Sequence, residues 1–194
     1  TWSGPVTIKL APTGPLDTAT PYTIMIGSNS LNTTAATIQL VSDNPRYSYA
    51  LVTSPSIPNS IQVSVSGVPT TLVWYGGQPG NPNAWDLGTA NWLNGGTPDT
   101  FFSGDSVQFD DTATTTLVTV TNTVQPGAMT MNNPSRSYTF GGAGGLNGGS
   151  LVKQGDGALS FTNSGPVSFS AGVTLGGGSV TFANSSANTF GGAM

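Results

Sequence analysis

Apolar residues along the chain recur two positions apart, most often with Thr or Ser between them. Fourteen segments carry this alternation. The first six are Val6/Ile8/Leu10, Ile24/Ile26, Ile38/Leu40, Tyr47/Tyr49/Leu51, Ile61/Val63/Val65 and Leu72/Trp74. The other eight are Val107/Phe109, Val118/Val120, Met129/Met131, Tyr138/Phe140, Leu159/Phe161, Val167/Phe169, Val173/Leu175 and Val180/Phe182. A period of two gives one dry and one wet face, so each segment predicts a short β-strand. Clusters of Gly, Pro, Asn and Asp separate the segments and predict turns. Strong helix formers are scarce: Glu is absent, and Lys and Arg together number four. The expected class is all-β, with no helix.

The texture changes along the chain. Residues 1–70 hold eight of the 14 prolines, whereas residues 141–194 hold one proline and 15 of the 27 glycines. Three of the four tryptophans lie within Trp74–Asp111. Three segments are expected: a β-rich strand module over residues 1–71, serving as an end or assembly segment; a Trp/Asp motif segment over 72–133; and repeated coils over 134–194.

The coils show a 21-residue period. Phe140, Phe161 and Phe182 fall in one column, and Tyr138, Leu159 and Val180 in another. Phe169 and Phe190, Val152 and Val173, and Leu146 and Val167 share the same 21-residue spacing. A fixed period with short strands and glycine-rich corners predicts a right-handed parallel β-solenoid-like C-terminal part. Its coils would stack ~4.8 Å apart, with Phe140, Phe161, Phe182, Phe169 and Phe190 as a core ladder. The alternative is an antiparallel β-sandwich or meander.

Composition narrows the chemistry. Charged residues are 6% of the chain and the net charge is -4, with neither Cys nor His. Disulfides, thiol nucleophiles, Cys/His metal sites and histidine bases are therefore excluded. No enzyme and no cofactor are expected. Four scattered cations (Lys9, Arg46, Arg136 and Lys153) cannot neutralise a phosphate backbone, so nucleic acid is not an expected partner. No apolar run approaches the ~20 residues that span a bilayer, so membrane insertion is not expected. The start at Thr1 reads as a processed or excised piece. Hydration must come from Ser, Thr, Asn and Gly, a composition common in extracellular and cell-surface proteins.

Residues 72–111 carry a Trp74-x-Gly76-Gly77 motif, then Trp85-Asp86, Asn91-Trp92, and Gly104-Asp105-Ser106-Val107-x-Phe109-Asp110-Asp111. Downstream, Leu151, Lys153, Gly155, Gly157, Leu159 and Phe161 form an L-x-K-x-G-x-G-x-L-x-φ coil, where φ is apolar, and Asn188-Thr189-Phe190-Gly191-Gly192 ends the last coil. With these motifs the chain resembles the autotransporter-associated β-strand repeat family of bacterial surface proteins, over most of its length. The resemblance implies an extracellular β-helical passenger or stalk without a catalytic site. No outer-membrane barrel accompanies the motifs in this sequence, so secretion as an autotransporter does not follow.

Several residues carry two readings. Trp74, Trp85 and Trp92 could stack on sugar rings, making a surface glycan the partner of an adhesin or carbohydrate-binding module. They could instead cap a β core, each indole N–H satisfied by a turn carbonyl. Asp99, Asp105, Asp110 and Asp111 could gather around calcium, or bond their own turn backbone. Asn32 and Asn184 open glycosylation sequons. Val6, Ile8 and Leu10 form a candidate assembly strand, donated to the open end of a neighbouring copy in a head-to-tail homopolymer or tandem array; the alternative is pairing within their own module. The function expected is a structural module of a bacterial surface stalk or filament.

Overall fold

The computed structural model describes residues 5–11, 16–27, 38–52, 57 and 59–192. The chain divides into two compact units, Thr1–Val68 and Pro69–Met194. The described residues contain strands, turns and bends and no helix. The boundary lies just before residue 71, and residues 72–133 and 134–194 belong to one unit because their strands share the same sheets.

The first unit holds β1 (Val6–Leu10), β2 (Tyr22–Ile26), β3 (Ile38–Ser42), β4 (Tyr47–Val52) and β5 (Ser60–Gly67). Strand β5 lies between β2 and β4 in an antiparallel sheet. Its Ile61, Val63 and Val65 are buried. Strand β2 carries a bulge between Thr23 and Met25, and its apolar residues stay largely exposed. Strand β1 pairs in parallel with β3, from Val6↔Ile38 to Leu10↔Ser42. The candidate assembly residues Val6, Ile8 and Leu10 therefore pair within their own unit.

The second unit is a solenoid whose C-terminal part is built of stacked parallel coils. It comprises β6 (Thr71–Trp74), β7 (Ala84–Trp85), β8 (Trp92–Asn94), β9 (Thr97–Asp99), β10 (Ser106–Asp110), β11 (Leu117–Val120), β12 (Ala128–Asn132), β13 (Tyr138–Gly141), β14 (Leu146–Gly148), β15 (Ser150–Gln154), β16 (Ala158–Phe161), β17 (Val167–Phe169), β18 (Val173–Leu175), β19 (Ser179–Phe182) and β20 (Thr189–Phe190). Three sheets form its sides. They run β18-β15-β12-β10-β6-β8-β9, β19-β16-β13-β11-β7 and β14-β17-β20. Reading across the sheets gives five rungs: β6–β7, β10–β11, β12–β14, β15–β17 and β18–β20. An isolated bridge from Val124 to Leu146 extends the third side down to the second rung.

Register shows where the 21-residue period holds. Phe140↔Phe161↔Phe182, Leu146↔Val167 and Phe169↔Phe190 are ladder partners. The first side instead steps by 22 residues from β10 onward, Val107↔Met129, Met129↔Leu151 and Leu151↔Val173, and the second side also steps by 22 from Val118 to Phe140 before its 21-residue steps begin. Val173 thus stacks on Leu151 and not on Val152. The turn from Phe169 to Val173 is one residue longer than the turn from Gly148 to Leu151, which shifts β18 without disturbing the other sides.

An aromatic spine runs along the core, each ring close to the next. Ring centroids lie 5.4 Å apart for Trp92–Phe109, 5.1 Å for Phe109–Phe140, 5.3 Å for Phe140–Phe161 and 5.2 Å for Phe161–Phe182. The last pair is nearly parallel, at 8°. Corners let the rungs approach closely. Gly142 has φ 99°, and a Cβ there would lie 2.3 Å from the Val120 carbonyl oxygen, so only glycine fits.

Phe161 sits in mid-ladder and is fully buried. Replacing it with alanine should cost ~3–5 kcal/mol through lost burial plus a cavity, measured as a drop in the urea unfolding free energy. Trypsin should give a second readout. Lys153 is buried and the Arg136 side chain is held by backbone carbonyls, so the solenoid offers few cutting points. Limited digestion should cut first at Lys9 or Arg46 and leave a stable fragment beginning at Tyr47. Early cleavage after Lys153 would contradict this packing.

Candidate functional site

The two ends of the solenoid and the corners between its sides concentrate the motif residues. At the first end the core is covered, and the sheet edges left there are the two-residue β7 and the three-residue β9. Strand β8 adds antiparallel to β6 through Trp74↔Trp92, and β9 adds antiparallel to β8. Gly95 and Gly96, at φ 57° and 88°, make the tight turn between them. The 35-residue step from β6 to β10 and from β7 to β11 accommodates this hairpin. Trp74, Trp85 and Trp92 point inward and are each 0% exposed. They pack edge to face at 5.0 Å (Trp74–Trp92) and 5.1 Å (Trp85–Trp92), with Phe101 5.4 Å from Trp85. A buried ring offers no face to a sugar, so the glycan-stacking role is set aside. The cap differs in one detail from its expected form. Trp74 Nε1 donates to the Thr115 carbonyl at 2.9 Å, but the indole nitrogens of Trp85 and Trp92 have no partner, because their rings are surrounded by other aromatics.

The polar residues of the Trp motifs shape this cap. Asn91 is fully buried. Its Nδ2 donates to the carbonyls of Asn81 and Ala84, both at 2.8 Å, and its Oδ1 accepts from the Gln78 amide. Asp86 accepts from the Gly88 and Thr89 amides and the Thr89 hydroxyl. Burial pushes the Asp86 carboxyl up, but these donors together hold it below its ordinary value.

The four aspartates considered for calcium all accept from nearby donors. Asp105 is buried and accepts from the Thr70 and Phe102 amides. Asp99 accepts from the Thr100 amide and from Asn94 Nδ2. Asp110 accepts from Thr112. Asp111 reaches one rung up, accepting from the Ser135 and Arg136 amides. Among the described residues no three Asp, Glu, His or Cys side chains gather as a metal site.

Corners are fastened by side chains that bind carbonyls on two rungs at once. Asn163 Nδ2 donates to Gly144 on the rung below and to Gly165 in its own turn, both at 2.9 Å. Asn184, 21 residues later, donates likewise to Gly165 and Ser186. This makes Asn184 a corner fastener in addition to the sequon residue noted above. Tyr138 donates its hydroxyl to the Asp110 carbonyl. Burial, and then the charge of Asp110, push that phenol above its ordinary value.

Lys153 is the corner residue that a two-residue alternation misses. It occupies an inward position, stacked between Met131 and Leu175, and is fully buried. Its Nζ donates to the carbonyls of Gln154 at 2.8 Å, Gly155 at 2.7 Å and, one rung on, Gly177 at 3.4 Å. The available signal was its spacing two residues after Leu151 in the L-x-K motif.

The far end is open among the described residues. Strands β18, β19 and β20 are the edge strands of their sheets. Among the described residues no strand pairs with their outer sides. Val173, Val180, Phe182 and Phe190 are only partly buried, and Leu175 is exposed. The first unit holds a separate apolar groove of about 210 Å³, lined by Leu10, Leu16, Tyr22, Ile24, Tyr49 and Val63 among others.

No family model, no curated protein and no solved structure matches this chain. The likeness to autotransporter-associated repeats accordingly stands on the motif residues alone.

Burial pushes the Lys153 ammonium below its ordinary value of 10.5, with Asp156 opposing the shift. The unfolded chain then holds this proton more tightly than the folded one, so stability should rise as pH climbs through the folded value toward 10.5. Urea unfolding midpoints should therefore increase with pH on the alkaline side, as the pH approaches 10.5 from below, and Lys153→Met should flatten that rise. An equal rise in the variant would assign it to another group.

Proposed function

We propose that this chain is a structural module of an extracellular bacterial stalk or filament, joined to its neighbours head to tail by β-strand pairing. The observation that carries this reading is the asymmetry of the solenoid. One end is closed by a buried tryptophan cluster and an antiparallel hairpin. The other presents three edge strands and a half-covered aromatic ladder. Unpaired parallel edges are templates for further pairing, and repeat proteins that stand alone cover such ends with polar caps. The described interior is filled by the ladder, as a load-bearing rod requires. The L-x-K-x-G-x-G-x-L coil and the Trp–Asp–Asn–Trp motifs add their resemblance to surface passengers.

Assembly is the test. The intact chain should form elongated particles at high concentration, seen by light scattering and electron microscopy. Val180→Lys places a charge on the open end, where the half-exposed stem can lead its ammonium to water. It should suppress elongation while the folded spectrum and the unfolding midpoint change little. A chain that stays monomeric at every concentration, or elongation unaltered by Val180→Lys, would refute the reading.

A further inference from the structure

We infer that the open end of the solenoid is completed by β1 of a second copy, added as a parallel strand along the outer edge of β19. The inference rests on the structural reading above and names the partner surface. The closed end of another solenoid is a poor partner, because β8 already occupies the outer side of β6 and the edge beyond it is the three-residue β9, whose Pro98 and Asp99 discourage further pairing.

Strand β1 is unfinished in the complementary sense. It belongs to a parallel sheet of two strands. Parallel pairing is the weaker kind per residue and occurs in larger sheets covered on both faces, so two strands make an incomplete sheet. Among the described residues, no strand lies on the other side of β1. Its side chains also match the edge. Val6, Ile8 and Leu10 are half-buried and alternate with exposed Thr7 and Lys9. In β19, half-buried Val180 and Phe182 alternate with exposed Ser179 and Thr181. An added β1 would continue the Leu159–Val180 and Phe161–Phe182 columns with apolar residues. The single charge on β1, Lys9, already pairs with Asp43 on the exposed side, and the last rung carries no charge to oppose it. The contact joins two different surfaces, so repeating it without closing a ring generates a filament.

The chain contains no cysteine, which permits a cross-linking test without background. Thr7→Cys and Thr181→Cys are made as separate variants, mixed and oxidised with diamide. Neighbouring parallel strands lie ~4.8 Å apart, within disulfide reach. Lys9→Cys and Ser179→Cys probe the adjacent registers. One of these β1–β19 mixtures should give a mixed disulfide dimer several-fold in excess of either variant oxidised alone. Ser164→Cys, exposed on a turn in mid-solenoid, should not cross-link to β1. Equal yield from Ser164→Cys, or a predominance of symmetric Thr181→Cys dimers, would overturn the assignment; the latter would mean that two open ends meet. Filaments that form without any β1–β19 cross-link would remove β1 as the partner and leave the structural reading intact, whereas a chain that never elongates removes both.

Discussion

A rung of a parallel solenoid cannot satisfy its own backbone. Its strands point their N–H and C=O groups at the rungs above and below, so each rung is complete only when both neighbours are in register. That requirement governs most of the second unit. Side chains at equivalent positions must lie ~4.8 Å apart along the axis, which favours flat rings that stack. Phe161 on Phe182 and Phe169 on Phe190 meet that demand as stacked pairs, and the spine continues toward the first end through the tilted Phe140–Phe161 contact and the edge-to-face contacts of Phe109 with Phe140 and Trp92. It also explains the glycine content of the corners, because the chain turns sharply there while an adjacent carbonyl lies close by, as at Gly142.

The same requirement creates a difficulty at every corner. Turn carbonyls face inward or along the axis and have no strand partner, and an unmet buried carbonyl costs about 1–3 kcal/mol. Asn163 and Asn184 answer this with a short amide that reaches one carbonyl in its own turn and one in the turn below. Lys153 answers it with a longer arm that spans upward to Gly177. Its ammonium gains two or three acceptors but loses water, which is why burial shifts its protonation downward. On the opposite approach, Asp111 binds two amides of the next corner. Lys153, Asp111 and Arg136 thus hold neighbouring rungs together.

The two ends differ among the described residues, in that a hairpin carries aromatic residues over the first of them. Inserting β8 and β9 places Trp92 on Trp74 and Trp85, and burying three indoles yields enough apolar contact to tolerate two unpartnered N–H groups. Among the described residues the last rung has no such insertion. Its Phe182 and Phe190 stack on the rung below and leave their outer faces half-covered.

Much of this architecture was legible in the chain. Alternation of apolar residues determined the all-β class, and the columns Phe140/Phe161/Phe182 and Phe169/Phe190 pointed to parallel stacking in the last three rungs, which the strand register decided against the antiparallel meander. What escaped the sequence depended on neighbours distant along the chain. The 22-residue step on the first side is masked because the other two sides step by 21 between the last rungs. The first rung, separated by a 35-residue step, shows no period at all. Lys153 reads as a surface cation until its rung neighbours supply carbonyls around it. The tryptophans read more readily as a cap than as a sugar platform, but an aromatic side chain carries no mark of which way it faces. Direction is set by the strand pairing of β8 with β6, a tertiary contact, and that contact decided that the three rings close the core.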